Sequence, residues 1–330
     1  MRKFAYRSAD SVDTALALLA EHDGSARILA GGTNLVDLMK LDVARPTLLI
    51  DVNGLPLDEI VETDDGGVRI GATARNSDVA AHPLIRERYP AVAQALVAGA
   101  SGQLRNLATV GGNLLQRTRC VYFTDTTKPC NKRDPGSGCP AREGVHHNLA
   151  VLGGSEHCIA TNPSDFAVPL AAFDAVVHIR DADGEHEIPL ADFYRLPGDE
   201  PDRDTTLPVG ALITAVSLPP SELAAGAVYR KVRERASYAF AIGSIAAAID
   251  VHDDVVRDVR IALGAVAPMP WRARAAEQAL VGRHATPEAF RDAADAELAE
   301  ADPLRDNAYK IPLIHNLIVR TLGELSGVAT

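Results

Sequence analysis

The chain has 330 residues, 47% of them hydrophobic and 23% charged, with a formal net charge of -11. That is enough apolar material for a sizeable core and for two or three domains. An acidic chain without a basic stripe is a poor partner for nucleic acid or an anionic membrane surface, and its longest apolar run, Tyr238 to Ile249, is too short to insert in a bilayer.

The N-terminal segment MRKFAYRSADSVD turns polar before an apolar stretch can form, so no signal peptide is expected. A helix follows, with Ser11 as N-cap and Val12, Ala15, Leu16, Leu18 and Leu19 as its apolar face. Arg27 to Leu29 reads as a strand running into the loop Ala30-Gly31-Gly32-Thr33-Asn34, and Thr47 to Val52 as the next strand. Glu59 to Thr63 and Val68 to Ala72 flank Asp64-Asp65-Gly66-Gly67, a hairpin signal. A helix is expected over Ala91 to Ala98, and strands over Ala175 to Ile179, Glu187 to Leu190 and Leu212 to Leu218.

Pro219-Pro220 marks a boundary, which divides the chain into 1–220 and 221–330. Beyond it, strands are expected at Ala227 to Val232, Ser244 to Val251 and Val256 to Val266, then helices at Arg274 to Leu280, Pro287 to Leu298 and Ile311 to Leu325. That order predicts a smaller α+β domain, a three-stranded antiparallel sheet faced by helices.

Two patches resemble each other: Ala30-Gly31-Gly32-Thr33-Asn34-Leu35 and Thr109-Val110-Gly111-Gly112-Asn113-Leu114. Adjacent glycines accept positive φ and leave backbone N–H groups free to converge on an anion. Either pair alone reads as a tight turn; the near-copy favours binding. Gly136-Ser137-Gly138-Cys139-Pro140-Ala141 fits a loose dinucleotide fingerprint, but it follows Pro135 instead of a strand and is discarded.

All four cysteines, Cys120, Cys130, Cys139 and Cys158, fall in one stretch with the spacing C-x9-C-x8-C-x18-C. Without a C-x-x-C pair, a zinc ribbon is disfavoured. Taken by itself the spacing leaves three readings open: an iron–sulfur cluster, disulfides, or free buried thiols. Lys128, Lys132, Arg133 and Arg142 would favour thiolates and offset a cluster's charge. The stretch from Arg117 to Asn148 shows little periodicity and is rich in Pro, Gly, Lys and Arg. Such a loop in a compact domain is usually functional.

The motifs AGGTNLVDLMK (Ala30 to Lys40), LRNLATVGGNLLQ (Leu104 to Gln116), NPSD (Asn162 to Asp165), YRKVRERASYA (Tyr229 to Ala239) and GAVAPMPWRA (Gly264 to Ala273) resemble, in order, the FAD-binding flavoprotein subunits of the xanthine dehydrogenase family of molybdenum hydroxylases. The resemblance implies a two-part FAD domain of the vanillyl-alcohol-oxidase type followed by the smaller C-terminal domain. It implies that the loop from Leu29 through Ala30, Gly31, Gly32, Thr33 and Asn34 to Leu35, together with Thr109, Gly111, Gly112 and Asn113, embraces the FAD diphosphate. Asp165 would contact the sugar or adenosine part, and Lys231 would lie near the flavin. An N-cap role competes for Asp165 and a solvated strand face for Lys231.

The cysteine segment 117–158 is an insertion relative to most of that family. It is similar to the flavin subunit of periplasmic aldehyde oxidoreductases, which implies Cys120, Cys130, Cys139 and Cys158 as ligands of a [4Fe-4S] cluster. His146 and His147, between the third and fourth cysteines, are expected as surface or supporting residues, and Tyr122, Phe123 and Trp271 as packing residues. No constellation for substrate chemistry is visible, which suits a subunit whose cofactor does the work. The implied partners are a large molybdopterin-binding subunit, a small [2Fe-2S] subunit and an external electron acceptor. The cytoplasm is the expected compartment, with export alongside a signal-bearing partner as the alternative.

Overall fold

The computed structural model describes residues 1–22 and 24–329. Among the described residues, twelve strands form three sheets. The first sheet holds β1 (Ala5–Ser8), β2 (Ala26–Leu29) and β3 (Leu48–Asp51), parallel, with β3 in the middle. The crossover from β1 to β2 is the helix Val12–Glu21, and Ser11 Oγ accepts the Thr14 amide at 3.1 Å, the expected cap.

The second sheet is antiparallel, in the order β4 (Ile60–Glu62), β5 (Val68–Gly71), β8 (Leu212–Leu218), β6 (Val176–Asp181) and β7 (Gly184–Pro189). Short helices at Pro90–Ala98 and Ala167–Ala172 join it in the largest core, through Val92, Leu96, Phe166, Val168 and Leu170.

The third sheet contains β9 (Val228–Val232), β10 (Gly243–His252), β11 (Val255–Gly264) and β12 (Trp271–Arg272). The expected three-stranded sheet is thus four-stranded: β12 pairs with β11 through Leu263↔Trp271 and Ala262↔Arg272. Two residues are too few to leave a periodic pattern. The alternation along β10 and β11 has a clear use. Ala246, Ala248 and Ala262 face the core of the second sheet, where small side chains allow close approach. Ile245, Ile261 and Leu263 face the helices Arg274–Leu280, Pro287–Leu298 and Lys310–Ser326. Both faces are buried, so these strands read as continuous apolar runs.

The cysteine segment contains only one short helix, Val121–Thr124, and otherwise turns. Its small core consists of Phe123, Leu149, Ile159, Ala160 and the cysteines, closed by Leu38. Among the described residues no helix is long and apolar enough to cross a membrane.

Candidate cofactor site

The strand β2 delivers the first glycine loop to the edge of a cavity of about 860 Å³. Gly32 has φ +70°, a left-handed conformation that suits glycine. The amides of Gly31, Gly32, Thr33 and Asn34 have no acceptor among the described residues, so a run of N–H donors is available for an anion. Asn34 precedes the helix Leu35–Lys40 but makes no side-chain cap. Its Oδ1 accepts the Arg117 amide at 2.9 Å, while its Nδ2 is buried without a partner.

The second loop is built differently. Thr109 caps a single helical turn, Val110–Leu114, with its Oγ1 3.3 Å from the Gly112 amide. The Gly111 amide donates to the Ala72 carbonyl at 2.9 Å. These two amides are therefore engaged, and the loop contributes shape more than donors. A Cβ on Gly31 would overlap the Leu107 carbonyl and stand 3.0 Å from Ala108 Cα, so the two loops touch. They are also pinned indirectly: Asn53 donates to the Ala30 carbonyl at 3.0 Å, and Arg75 donates to Asn53 Oδ1 at 2.9 Å and to the Leu107 carbonyl.

The cavity is lined by Ala30 to Leu35, Thr109, Gly111 and Gly112, with Thr161 to Pro163 and residues from Asp202 to Ile213 on other walls. Its size suits an extended nucleotide ligand. Two buried polar atoms in its lining, Asn34 Nδ2 and Thr73 Oγ1, have no protein partner. Buried polar groups are normally paired, so such orphans fit a site completed by a ligand. Arg27, also in the lining, has its basicity lowered, first by burial and then by Arg117.

Thr73, Arg27 and Arg75 were not singled out from sequence. Among the expected residues, Leu29, Asn113, Asp165 and Lys231 do not line the cavity. Asn113 Oδ1 accepts from Ser164 Oγ at 2.8 Å and from Gln116. Asp165 and Lys231 form a buried ion pair at 2.7 Å, with Tyr229 donating to the other carboxylate oxygen at 2.5 Å. Burial and the Asp165 charge push the Tyr229 hydroxyl well above its ordinary pKa. Lys231 also donates to the Ala98 carbonyl, so this group ties β9 to the helix Pro90–Ala98.

A second, smaller pocket is lined by all four cysteines together with Phe123, Lys132 and His157. None of the four is in a disulfide. Burial pushes the Cys120 and Cys139 thiols up, and Cys158 up to about 11. Lys132 opposes this at Cys158 without overcoming burial. Arg133 and Arg142 donate to carbonyls at Tyr122, Phe123 and Ser155 and tie the loop together. A coordinating metal ion would favour the thiolate form of such thiols. No group of three or more His, Cys, Asp or Glu among the described residues is arranged for a single metal ion. His146 is buried and fully used: the Asp306 amide donates to Nε2 at 3.0 Å, and Nδ1 lies 3.1 Å from the Ala141 carbonyl.

The sequence profile described as the FAD binding domain in molybdopterin dehydrogenase matches residues 2–221. The chain belongs to this family. A second profile, the CO dehydrogenase flavoprotein C-terminal domain, matches residues 198–325. The chain is 50% identical over 325 residues to the aldehyde oxidoreductase FAD-binding subunit PaoB of Escherichia coli strain K12, covering 98% of each. It is 27% identical to the carbon monoxide dehydrogenase medium chain of Hydrogenophaga pseudoflava, over 97% of this chain and 96% of that one. A solved carbon monoxide dehydrogenase structure from that organism superposes with a TM-score of 0.76, at 28% identity, over 99% of this chain and 98% of the other. The chain is therefore the FAD-binding oxidoreductase subunit of a molybdenum hydroxylase-type complex.

Proposed function

We propose that this chain is the electron-transfer subunit of a molybdenum-containing aldehyde oxidoreductase. It takes electrons from a [2Fe-2S] partner subunit, beside a large molybdopterin-binding subunit, and passes them to an external acceptor. The residues 1–220 form its FAD domain and 221–330 its C-terminal domain. The aldehyde assignment rests on the 50% identity, over nearly the whole chain, to an aldehyde oxidoreductase FAD-binding subunit.

The observation that carries the reading is the run of free amides from Gly31 to Asn34 facing a cavity with two orphaned polar atoms. Those amides would hold the diphosphate, and Asn34 Nδ2 and Thr73 Oγ1 would complete their hydrogen bonds on it. The touching contact at Gly31 keeps the second loop against the first. Bound there, FAD supplies the redox chemistry that links one-electron and two-electron partners. The Asp165–Lys231–Tyr229 group joins β9 to the helix Pro90–Ala98.

The four cysteines would hold a [4Fe-4S] cluster, the usual complement for four thiolates. Their shared pocket and their freedom from disulfides support this. The test is spectroscopic. Aldehyde should not bleach the flavin of the isolated chain, and should bleach it once both partner subunits are added. Bleaching of the isolated chain would favour a self-contained flavin oxidase, and a flavin-free chain would favour an assembly module.

A further inference from the structure

The two pockets share a wall. Lys132, Phe123 and Ala160 line both of them. Lys132 is 6% exposed, and its Nζ lies 2.5 Å from Asp204 Oδ1 and donates to the Pro201 carbonyl at 2.7 Å. The other Asp204 oxygen forms an ion pair with Arg117, at 2.5 Å from Nε, without hydrogen-bond geometry. The Arg117 guanidinium packs 4.9 Å from the centroid of the Phe123 ring, and its backbone amide donates to Asn34 Oδ1.

A continuous set of contacts therefore runs from the cysteine pocket through Lys132, Asp204 and Arg117 to Asn34 in the first glycine loop. Lys132 stands two residues after Cys130, so ordering of Cys130 restricts the backbone that carries the ammonium. The cysteine segment has little core of its own, and a loop of that kind takes its order from the metal it binds. Asp204 in turn lies on the part of the cavity wall that begins at Asp202.

We infer that Lys132 is a positioning residue through which occupancy of the cysteine pocket tightens FAD binding. The inference rests on the cluster reading given above. Ordering of the cysteine segment seats Lys132 on Asp204, which holds Arg117 and hence the Asn34 side of the first loop in place. Linkage is reciprocal, so bound FAD slows loss of the cluster by the same coupling.

The test uses the full chain, stripped of flavin, with its iron and sulfide either retained or removed by chelation. FAD affinity is measured on both forms by quenching of flavin fluorescence. Wild type is expected to bind FAD at least about fivefold more tightly with the cluster present, the lower end of ordinary coupling. Lys132→Met should keep the cluster, whose ligands are intact, and bring that ratio toward one. Asp204→Asn approaches the same link from the other side and should do likewise if Lys132→Met fails to fold. A merely structural role would weaken both forms equally and leave the ratio unchanged, which overturns the inference. A wild-type ratio of one with the cluster present overturns the coupling alone. Absence of iron and sulfide sinks the cluster reading, and the coupling with it.

Discussion

Replacing Gly31 by alanine probes the contact between the two loops. The added Cβ would overlap the Leu107 carbonyl, which Arg75 already holds from the other side. Neither partner is the free end of a flexible side chain, so the loops must move apart. Overpacking of this kind costs about 1–3 kcal/mol, which corresponds to roughly 5- to 150-fold in affinity if the cost falls on the bound state. Gly32→Ala should be milder. Its φ of +70° imposes backbone strain of about 1–2 kcal/mol, but the nearest atom is a Val36 methyl at 3.0 Å, which has more freedom to move. Gly54→Ala is the control, because nothing lies within 4 Å of its added Cβ. The assay is fluorescence titration of each flavin-stripped variant with FAD, alongside thermal unfolding. Gly31→Ala binding FAD as tightly as Gly54→Ala, at unchanged stability, would refute the packing of the loops against each other.

Lys310 is fully buried, and burial depresses its pKa from 10.5 to about 7. Below pH 7 the lysine is protonated in both the folded and unfolded chain, so its contribution is flat. Between pH 7 and 10.5 the unfolded chain binds the extra proton, so stability rises with pH. At about 1.4 kcal/mol per pH unit the full rise is on the order of 5 kcal/mol, and denaturant unfolding at pH 7 and 9 should show part of it in wild type and lack it in Lys310→Met. Thr73→Val removes an orphaned hydroxyl from the cavity wall; it should leave the flavin-free protein as stable as wild type and weaken FAD by about 1 kcal/mol, the net worth of one hydrogen bond. Cys130→Ser should lose iron and sulfide by chemical analysis. Retention of FAD, assembly and acceptor reduction in that variant would exclude an essential relay role for the cluster.

The sequence carried the fold well where periodicity was long. The helix capped by Ser11, the hairpin around Asp64 to Gly67 and the long strands β10 and β11 appear close to their expected bounds. It was silent where elements are short or exposed. β1 shows no apolar alternation because every residue in it is exposed, and β12 is too brief to register. The glycine loops were legible as a pair because their composition repeats. Their difference was not, because which amides are free depends on Ala72 and Thr109 packing nearby. Thr73 left no signal, since a threonine at a strand end is ordinary until its hydroxyl is seen buried and alone. Asp165 and Lys231 were expected at the cofactor by resemblance; the structure brings them together as partners of each other. Trp271, expected as a packing residue, also donates to Glu297 at 2.7 Å.

Chemical analysis of the purified full chain bears most directly on the whole reading. Flavin released on denaturation, together with iron and acid-labile sulfide, should appear in the proportions of one FAD and one [4Fe-4S] cluster per chain. A protein of native fold that retains no flavin and takes up none from solution would contradict the role given to the Gly31 to Asn34 amides. Flavin without iron or sulfide, after anaerobic purification, would contradict the role given to the four thiols.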